Sequence, residues 1–256
     1  MSDPLLLTID GAIARVTLNR PDAFNAMNAP LRDAFRDAIS KIHADKNVRV
    51  VILSGEGRGF CAGTDLTEGL PGPVSLLIDR EYRPILGAIA DSPHIWIAQV
   101  HGSAAGIGAA LAMNCDLVTM AEDANIYMAF AAIGLVPDGG STWLLQRGMG
   151  AKRALQAILE GRKIPAEDAL DYGLVNATHP MEALATETTA LAERLSTGAP
   201  LAAAAAKRLI RSMDGMSYHD AIAAEASEQT ALSKSQDSQE GIAAFLQKRK
   251  PEFRGL

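Results

Sequence analysis

The stretch Pro93-His-Ile-Trp-Ile-Ala-Gln-Val-His-Gly-Ser-Ala-Ala-Gly-Ile-Gly-Ala-Ala-Leu-Ala-Met-Asn-Cys115 contains no Asp, Glu, Lys or Arg. It is long enough to imitate a membrane span, but His94, Gln99, His101, Asn114 and three glycines interrupt it. Residues 94–100 have the length and apolar content of a buried strand. Residues 101–108 form a glycine turn, and the alanine-rich remainder reads as a buried helix ending near Asn114. A strand feeding a helix through glycines is the unit of a wound or spiral architecture, so the expected fold class is α/β.

The same grammar extends outward on both sides. Residues 48–53 form a continuous apolar run that ends in Ser54-Gly-Glu-Gly-Arg-Gly59, again a strand entering a glycine-rich loop. Upstream, residues 5–9 and 13–18 flank Asp10-Gly11, a strong hairpin signal. Asn28-Ala-Pro30 supplies a cap and a first-turn proline for a helix whose Leu31, Ala34, Phe35, Ala38, Ile39 and Ile42 share one face. Residues 66–72 read as irregular, and 74–90 as helix with Pro84 forcing a start or a kink. Residues 116–120 read as a further strand. From residue 141 onward the pattern is almost wholly helical, over 151–160, 181–195, 201–213, 217–232 and 236–250. No Pro-, Ser- or Gly-rich linker separates an independent domain.

The 256 residues are 48% hydrophobic and 21% charged, a composition that supports a folded core and excludes disorder. A net charge of −6 argues against general attraction to nucleic acid or anionic membrane, so an anionic ligand must be met by local cations. Cys61 and Cys115 show no metal-ligand or C-x-x-C spacing, and the N-terminus lacks the basic and apolar regions of a signal peptide. A cytoplasmic setting is expected, with no membrane or nucleic-acid partner.

One motif fails by a single position and others are absent. Gly55-Glu-Gly-Arg-Gly59 resembles a dinucleotide fingerprint, but Phe60 stands where its third glycine belongs. There is no phosphate-binding G-x-x-x-x-G-K-[ST], no G-x-S-x-G elbow and no H-E-x-x-H. Two loops remain, Gly59-Phe-Cys-Ala-Gly-Thr-Asp65 and Gly102-Ser-Ala-Ala-Gly-Ile-Gly108. Each either aims free backbone N–H groups at a ligand or serves only close packing. A third feature, Leu135-Val-Pro-Asp-Gly-Gly-Ser-Thr142, places Asp138 before a helix. That carboxylate either caps the helix or sits in a turn, or else is buried among Phe130, Ile133, Leu135 and Val136 with a raised pKa suited to proton transfer.

Taken in order, the landmarks are similar to those of the enoyl-CoA hydratase/isomerase (crotonase) superfamily over nearly the whole chain. They are Asn19-Arg-Pro21 with Asn25-Ala-Met27, the loops 59–66 and 101–108, Cys115-Asp116, residues 134–140, Ala169-Leu-Asp-Tyr-Gly-Leu-Val175 and Ala244-Phe-Leu-Gln-Lys-Arg-Lys250. The resemblance implies a crotonase (ClpP-like) fold: a spiral of ββα units over residues 1–195 carrying an acyl-CoA site, then a helical trimerisation region over 196–256. It implies a homotrimer or dimer of trimers, an acyl-CoA thioester as substrate, and no permanently bound cofactor or metal. By position, the backbone N–H groups of Thr64 and Ile107 would form the oxyanion hole. Ala26, Ala62 and Leu66 would line the adenine pocket of CoA, and Phe245 and Lys248 would reach a neighbouring subunit's CoA. Met128, Phe130 and Trp143 are candidates for the acyl pocket.

The departures from the family pattern bear on the reaction. The two glutamates of the hydratases are matched here by Ala110 and Phe130, neither of which transfers protons. Asp138 falls where several isomerases of the superfamily, including the ring-epoxide isomerase of phenylacetate breakdown, carry a carboxylate. The resemblance thus implies a CoA-dependent isomerase with Asp138 as acid/base. A hydratase working through a non-standard site and a non-catalytic acyl-CoA-binding paralogue are the alternatives.

Overall fold

The computed structural model describes residues 3–69 and 72–256. Leu5–Asp10 (β1) and Ile13–Leu18 (β2) form the expected hairpin, registered from Leu5↔Leu18 to Asp10↔Ile13. Ala29–Ala44 (α1) is capped as expected: the Asn28 side chain accepts the Leu31 N–H at 3.1 Å, satisfying one of the helix's orphan donors. Val50–Gly55 (β3) pairs in parallel with β2. Of the stretch expected to be irregular, Leu66–Glu68 is a 3-10 turn, and Leu70 and Pro71 lie outside the described residues.

The single helix expected over 74–90 is three pieces: Val74–Leu77 (α2), a π-helical turn at Ile78–Tyr82, and Arg83–Asp91 (α3). Pro84 stands in the first turn of α3, directly after the π-helical turn whose last bond runs from the Arg83 N–H to the Ile78 carbonyl. Ile95–Val100 (β4), Ser103–Ala105 (β5) and Ile107–Asn114 (α4) form the strand-turn-helix unit read from the sequence. Leu117–Ala121 (β6), Asn125–Tyr127 (β7), a 3-10 turn at Ala129–Ile133 and Ser141–Met149 (α5) repeat it.

Beyond α5 the expectation of an almost wholly helical chain needs correction. Between Ala151–Leu159 (α6), Ala166–Asp171 (α7) and Met181–Ser196 (α8) lie two strands, Lys163–Pro165 (β8) and Ala177–His179 (β9). Strands of three residues are too short to display a period in sequence, and only their sheet neighbours define them. Pro200–Ser212 (α9), Tyr218–Leu232 (α10) and Gln236–Gln247 (α11) complete the chain. The last helix stops short of the expected residue 250 because Lys248 takes a left-handed conformation at φ 55°.

The strands form two sheets, β1-β2-β3-β4-β6-β9 and β5-β7-β8. A bridge between Cys61 and Ala104 extends the smaller sheet by one residue. Each pass of the chain therefore gives one strand to the large sheet and one short segment to the small sheet before turning outward: β3 with Cys61, β4 with β5, β6 with β7. That is the spiral expected from the repeated strand-glycine-helix pattern. On the large sheet, Val51 and Leu53 face the main core, while Val50, Ile52 and Ile97 face α8 through Ala192. Burial on both faces explains why β3 is apolar over residues 50–53 and β4 is apolar but for Gln99.

The helices after residue 196 are tied back to this core. Lys207 of α9, nearly fully buried, donates to the carbonyls of Ile89 and His94 at 2.8 and 2.9 Å and pairs with Asp116 at 2.7 Å. Arg49, leading into β3, donates to the carbonyls of Ser196 and Phe253 at 2.9 and 2.6 Å.

Candidate active site

Successive passes of the spiral each deliver one element of the candidate site. Thr64 comes after β3, Ile107 after β4 and Asp138 after β6, and the small sheet holds the passes in contact. The first two are brought together by backbone hydrogen bonds. Cys61 N–H donates to Ser103 O at 3.2 Å, and Ala105 N–H donates to Cys61 O at 2.8 Å. This draws the two glycine loops side by side.

The direction of the Thr64 amide follows from its pairing. Thr64 forms a parallel bridge with Met27 in which Met27 N–H donates to Gly63 O (2.7 Å) and Asp65 N–H donates to Met27 O (3.3 Å). In such a bridge the flanking residues make the bonds, so the N–H of Thr64 points the other way. Ile107 is the first residue of α4, and its N–H is one of the orphan donors of a helix start. Among the described residues neither amide has an acceptor. Ile107 adopts an ordinary negative φ, so isoleucine keeps the donor that a glycine would supply.

The glycines of these loops divide by task. A Cβ on Gly102 would meet Arg58 O at 2.3 Å, and one on Gly108 would meet Cys61 O at 2.5 Å; these two serve close packing. Gly63 (φ 102°) and Gly106 (φ 54°), like Gly102 (φ 57°), carry conformations that L side chains rarely adopt, and these two each stand just before a free amide. A Cβ on Gly106 would lie 3.7 Å from Gly63 Cα. The two donors thus leave adjacent points of the backbone.

Asp138 follows buried Pro137 and is half-buried. It does not cap α5: Gly140 occupies the cap position, and it is the main-chain carbonyl of Asp138 that accepts the Ser141 N–H, at 3.0 Å. The expected surroundings also need correction, because Ile133, Leu135 and Val136 are exposed, the last at 74%. They turn outward beyond the Ala129–Ile133 turn. The next residue, Gly139, packs against Ile107 and Ala110, whose Cδ1 and Cβ would lie 2.5 and 2.8 Å from a Cβ placed there. Gly139, the residue after Asp138, is therefore seated on the first turn of α4, and the Asp138 charge lies close enough to Tyr82 to act on its phenol. Its Oδ1 is buried without a hydrogen-bond partner, as is Ser141 Oγ. Burial pushes the Asp138 carboxyl above the ordinary carboxylate range, which suits a group that must take up and release a proton.

The remaining expected residues separate into two sets. Ala26, Ala62 and Leu66 lie on one shelf, joined by the Ala62 N–H donating to Phe24 O at 2.9 Å and by the Met27–Thr64 bridge. Ala62 and Leu66 are exposed, and the Ala26 carbonyl accepts from the Arg20 guanidinium. Phe130 joins the site, its ring 3.8 Å from where a Gly106 Cβ would be. Met128 is fully buried in the main core. Trp143 faces away, stacked by Arg147 at 4.6 Å in a groove with Leu144, Ile210 and Arg211 that includes none of Thr64, Ile107 or Asp138. Phe245 and Lys248 lie exposed on and just after α11. Beside Asp138, Ile78, Leu86, Ala90, Asn114, Gly139 and Gly140 line a groove of about 320 Å³.

The sequence reading missed Tyr82, which is buried on the π-helical turn with its hydroxyl 2.9 Å from Thr64 Oγ1. A buried tyrosine requires a partner for its hydroxyl, and Pro84 marked an irregularity just beyond it, but neither signal identifies Thr64. Arg32, also missed, lies 5.7 Å from the Tyr82 ring centre. Among the described residues no group of His, Cys, Asp or Glu could hold a metal ion, and no helix is long and apolar enough to cross a membrane.

Two unpaired amides leaving adjacent points of the backbone, with a half-buried carboxylate on the next pass of the chain, are an arrangement able to hold a developing negative oxygen. Residues 8–255 match the family model described as enoyl-CoA hydratase/isomerase. The chain is 34% identical to the 1,2-epoxyphenylacetyl-CoA isomerase of Escherichia coli strain K12, over 100% of both chains. It is 38% identical to a probable enoyl-CoA hydratase of Rhodobacter capsulatus, over 96% of each. The crystal structure of an enoyl-CoA hydratase from Bacillus anthracis superposes with a TM-score of 0.93 at 28% identity, covering 99% of this chain and 100% of that one. The chain belongs to the enoyl-CoA hydratase/isomerase family and has the crotonase fold.

Proposed function

We propose that the protein is an enoyl-CoA isomerase, shifting a double bond in an acyl-CoA thioester with Asp138 as the single acid/base. The observation that carries this reading is the Asp138 carboxylate, with one buried oxygen that has no partner, on the residue before Gly139 and its seat on Ile107 and Ala110. The carboxylates next to Thr64 and Tyr82 are otherwise engaged. Asp65 pairs with Arg20 at 2.9 Å, and Glu81 with Arg36 at 2.8 Å. The positions matching the hydratase glutamates hold the buried methyl group of Ala110 and the ring of Phe130.

With a 3-enoyl thioester, the thioester oxygen accepts from the Thr64 and Ile107 amides, and Asp138 removes a proton from C2. The electron pair delocalises into a dienolate whose negative oxygen the two amides stabilise. Asp138 then returns the proton to C4, giving the conjugated 2-enoyl ester at unchanged mass. One carboxylate suffices because the same proton is taken and returned. Hydration would also require water held and activated at C3. The exposed shelf of Ala26, Ala62 and Leu66 is the reading's place for the adenine of CoA, and Phe245 and Lys248 would act on a neighbouring copy's ligand in a homotrimer.

The test is incubation with a 3-enoyl-CoA and, separately, a 2-enoyl-CoA, followed by ultraviolet absorbance and mass spectrometry. The expected result is conversion of the 3-enoyl ester without mass change. Gain of one water by the 2-enoyl ester would install the hydratase reading instead, and binding without conversion of either would point to a non-catalytic binder. Asp138→Asn should lower turnover by about 10²- to 10⁴-fold while acyl-CoA still binds. Near-normal turnover in that variant would remove Asp138 from the role.

A further inference from the structure

We infer that Tyr82 is a positioning residue for the oxyanion hole, holding Thr64 so that its backbone N–H is aimed at the thioester oxygen. The inference rests on the reading of Thr64 and Ile107 as the oxyanion donors. Its basis is how unevenly those two donors are supported. The Ile107 amide belongs to the rigid first turn of a buried helix. Thr64 belongs to no regular element: it lies between Gly63 at φ 102° and the short Leu66–Glu68 turn, and its backbone is held from one side, by Met27.

Tyr82 supplies the other side. Its hydroxyl stands 2.9 Å from Thr64 Oγ1, with Tyr82 only 2% exposed and Thr64 half-buried. Burial pushes the phenol above its ordinary value, so the hydroxyl keeps the proton it needs for a hydrogen bond. The residue is fixed in turn. It ends the π-helical turn at Ile78–Tyr82, an irregularity that re-aims a side chain relative to a continuous α-helix. Buried Arg32 lies 5.7 Å from its ring centre and donates to the Met27 carbonyl at 2.8 Å, the same carbonyl that accepts from Asp65 N–H. Arg32 also pairs with Glu68 at 3.1 Å. One arginine thus braces both the tyrosine and the strand segment against which Thr64 is paired.

A residue acting this way alters the aim of a donor without touching substrate. Tyr82→Phe keeps the ring beneath Arg32 and removes only the hydroxyl; Thr64→Val keeps the amide and removes only Oγ1. Each should lower kcat by about 3- to 10-fold, the range of one net hydrogen bond, with KM unchanged, because the oxyanion forms after binding. The double variant should be no slower than the slower single one, since both remove the same interaction. A second readout does not depend on turnover: cinnamoyl-CoA absorbs at longer wavelength when its carbonyl is polarised. The wild-type protein should shift that absorption, and Tyr82→Phe should shift it less. Equal shifts and equal kcat in wild type and Tyr82→Phe would overturn the role of Tyr82 alone. Binding to the wild type with no shift would overturn the oxyanion reading of Thr64 and Ile107, and the inference with it.

Discussion

The oxyanion corner and the Asp138 segment are built in opposite ways. At the corner, two loops are joined by main-chain hydrogen bonds through Met27, Cys61 and Ser103, with side-chain bonds from Asn25, Arg32 and Tyr82 added to them. The segment from the Ala129–Ile133 turn to Gly140 has exposed apolar side chains at Ile133, Leu135 and Val136, and three glycines of positive φ at 134, 139 and 140. It is fixed at its C-terminal end, by the start of α5 and by Gly139 seated on Ile107 and Ala110. A donor that must not move is made from backbone braced by neighbouring backbone and buried side chains. A group that must gain and lose a proton is placed on a tethered loop against an apolar helix.

The sharpest test of this contrast uses one alanine in each region. Gly63→Ala puts a Cβ 3.0 Å from Ala105 O at φ 102°, so the Thr64 amide must shift. The expected loss in kcat is about 10²-fold, the cost of one oxyanion donor. Gly140→Ala meets nothing within 4 Å at φ 83°. It should cost about 1 kcal/mol of stability by its φ alone, seen in denaturant melts, with turnover largely kept. Equal losses of turnover in the two variants would erase the distinction between the regions.

A smaller effect comes from the Asp138 charge. The raised pKa means that the folded state binds this proton more tightly than the unfolded state, so the carboxylate costs stability at neutral pH. Asp138→Asn should therefore melt higher than wild type at pH 7. The gap should close as pH falls through the folded-state pKa towards the ordinary Asp value, because the wild-type group is then neutral as well. A lower melting temperature for the variant at pH 7 would mean that the charge is stabilised by something the geometry does not show. The smallest effect is expected at Val136, 74% exposed. Val136→Ser should leave unfolding within about 0.5 kcal/mol of wild type, as for an ordinary surface position.

Main-chain chemistry and side-chain chemistry were legible in the sequence to different degrees. The hairpin across Asp10-Gly11, the Asn28 cap and the buried strands around Val50 and Ile97 were readable because turn residues and period carry them locally. The glycine loops were readable as loops, but packing glycines such as Gly108 and donor-positioning ones such as Gly106 have the same spacing, and only tertiary contact separates them. Asp138 was readable as a carboxylate of interest, yet its apolar neighbour is α4 rather than the side chains beside it in sequence. The three-residue strands β5, β7, β8 and β9 exist only through pairing. Tyr82 went unread because a hydroxyl's partner 18 positions away leaves no local trace.

The Met27–Thr64 bridge also sets how this chain tolerates changes of length. Along an extended segment, successive amides point to opposite sides, so inserting or deleting one residue between Cys61 and Thr64 would turn the donor toward Met27 and present a carbonyl in its place. The residue count from bridge to bridge is therefore as constrained as the identity of any side chain here. The turn at Gly11, open around its Cα, is free of that constraint.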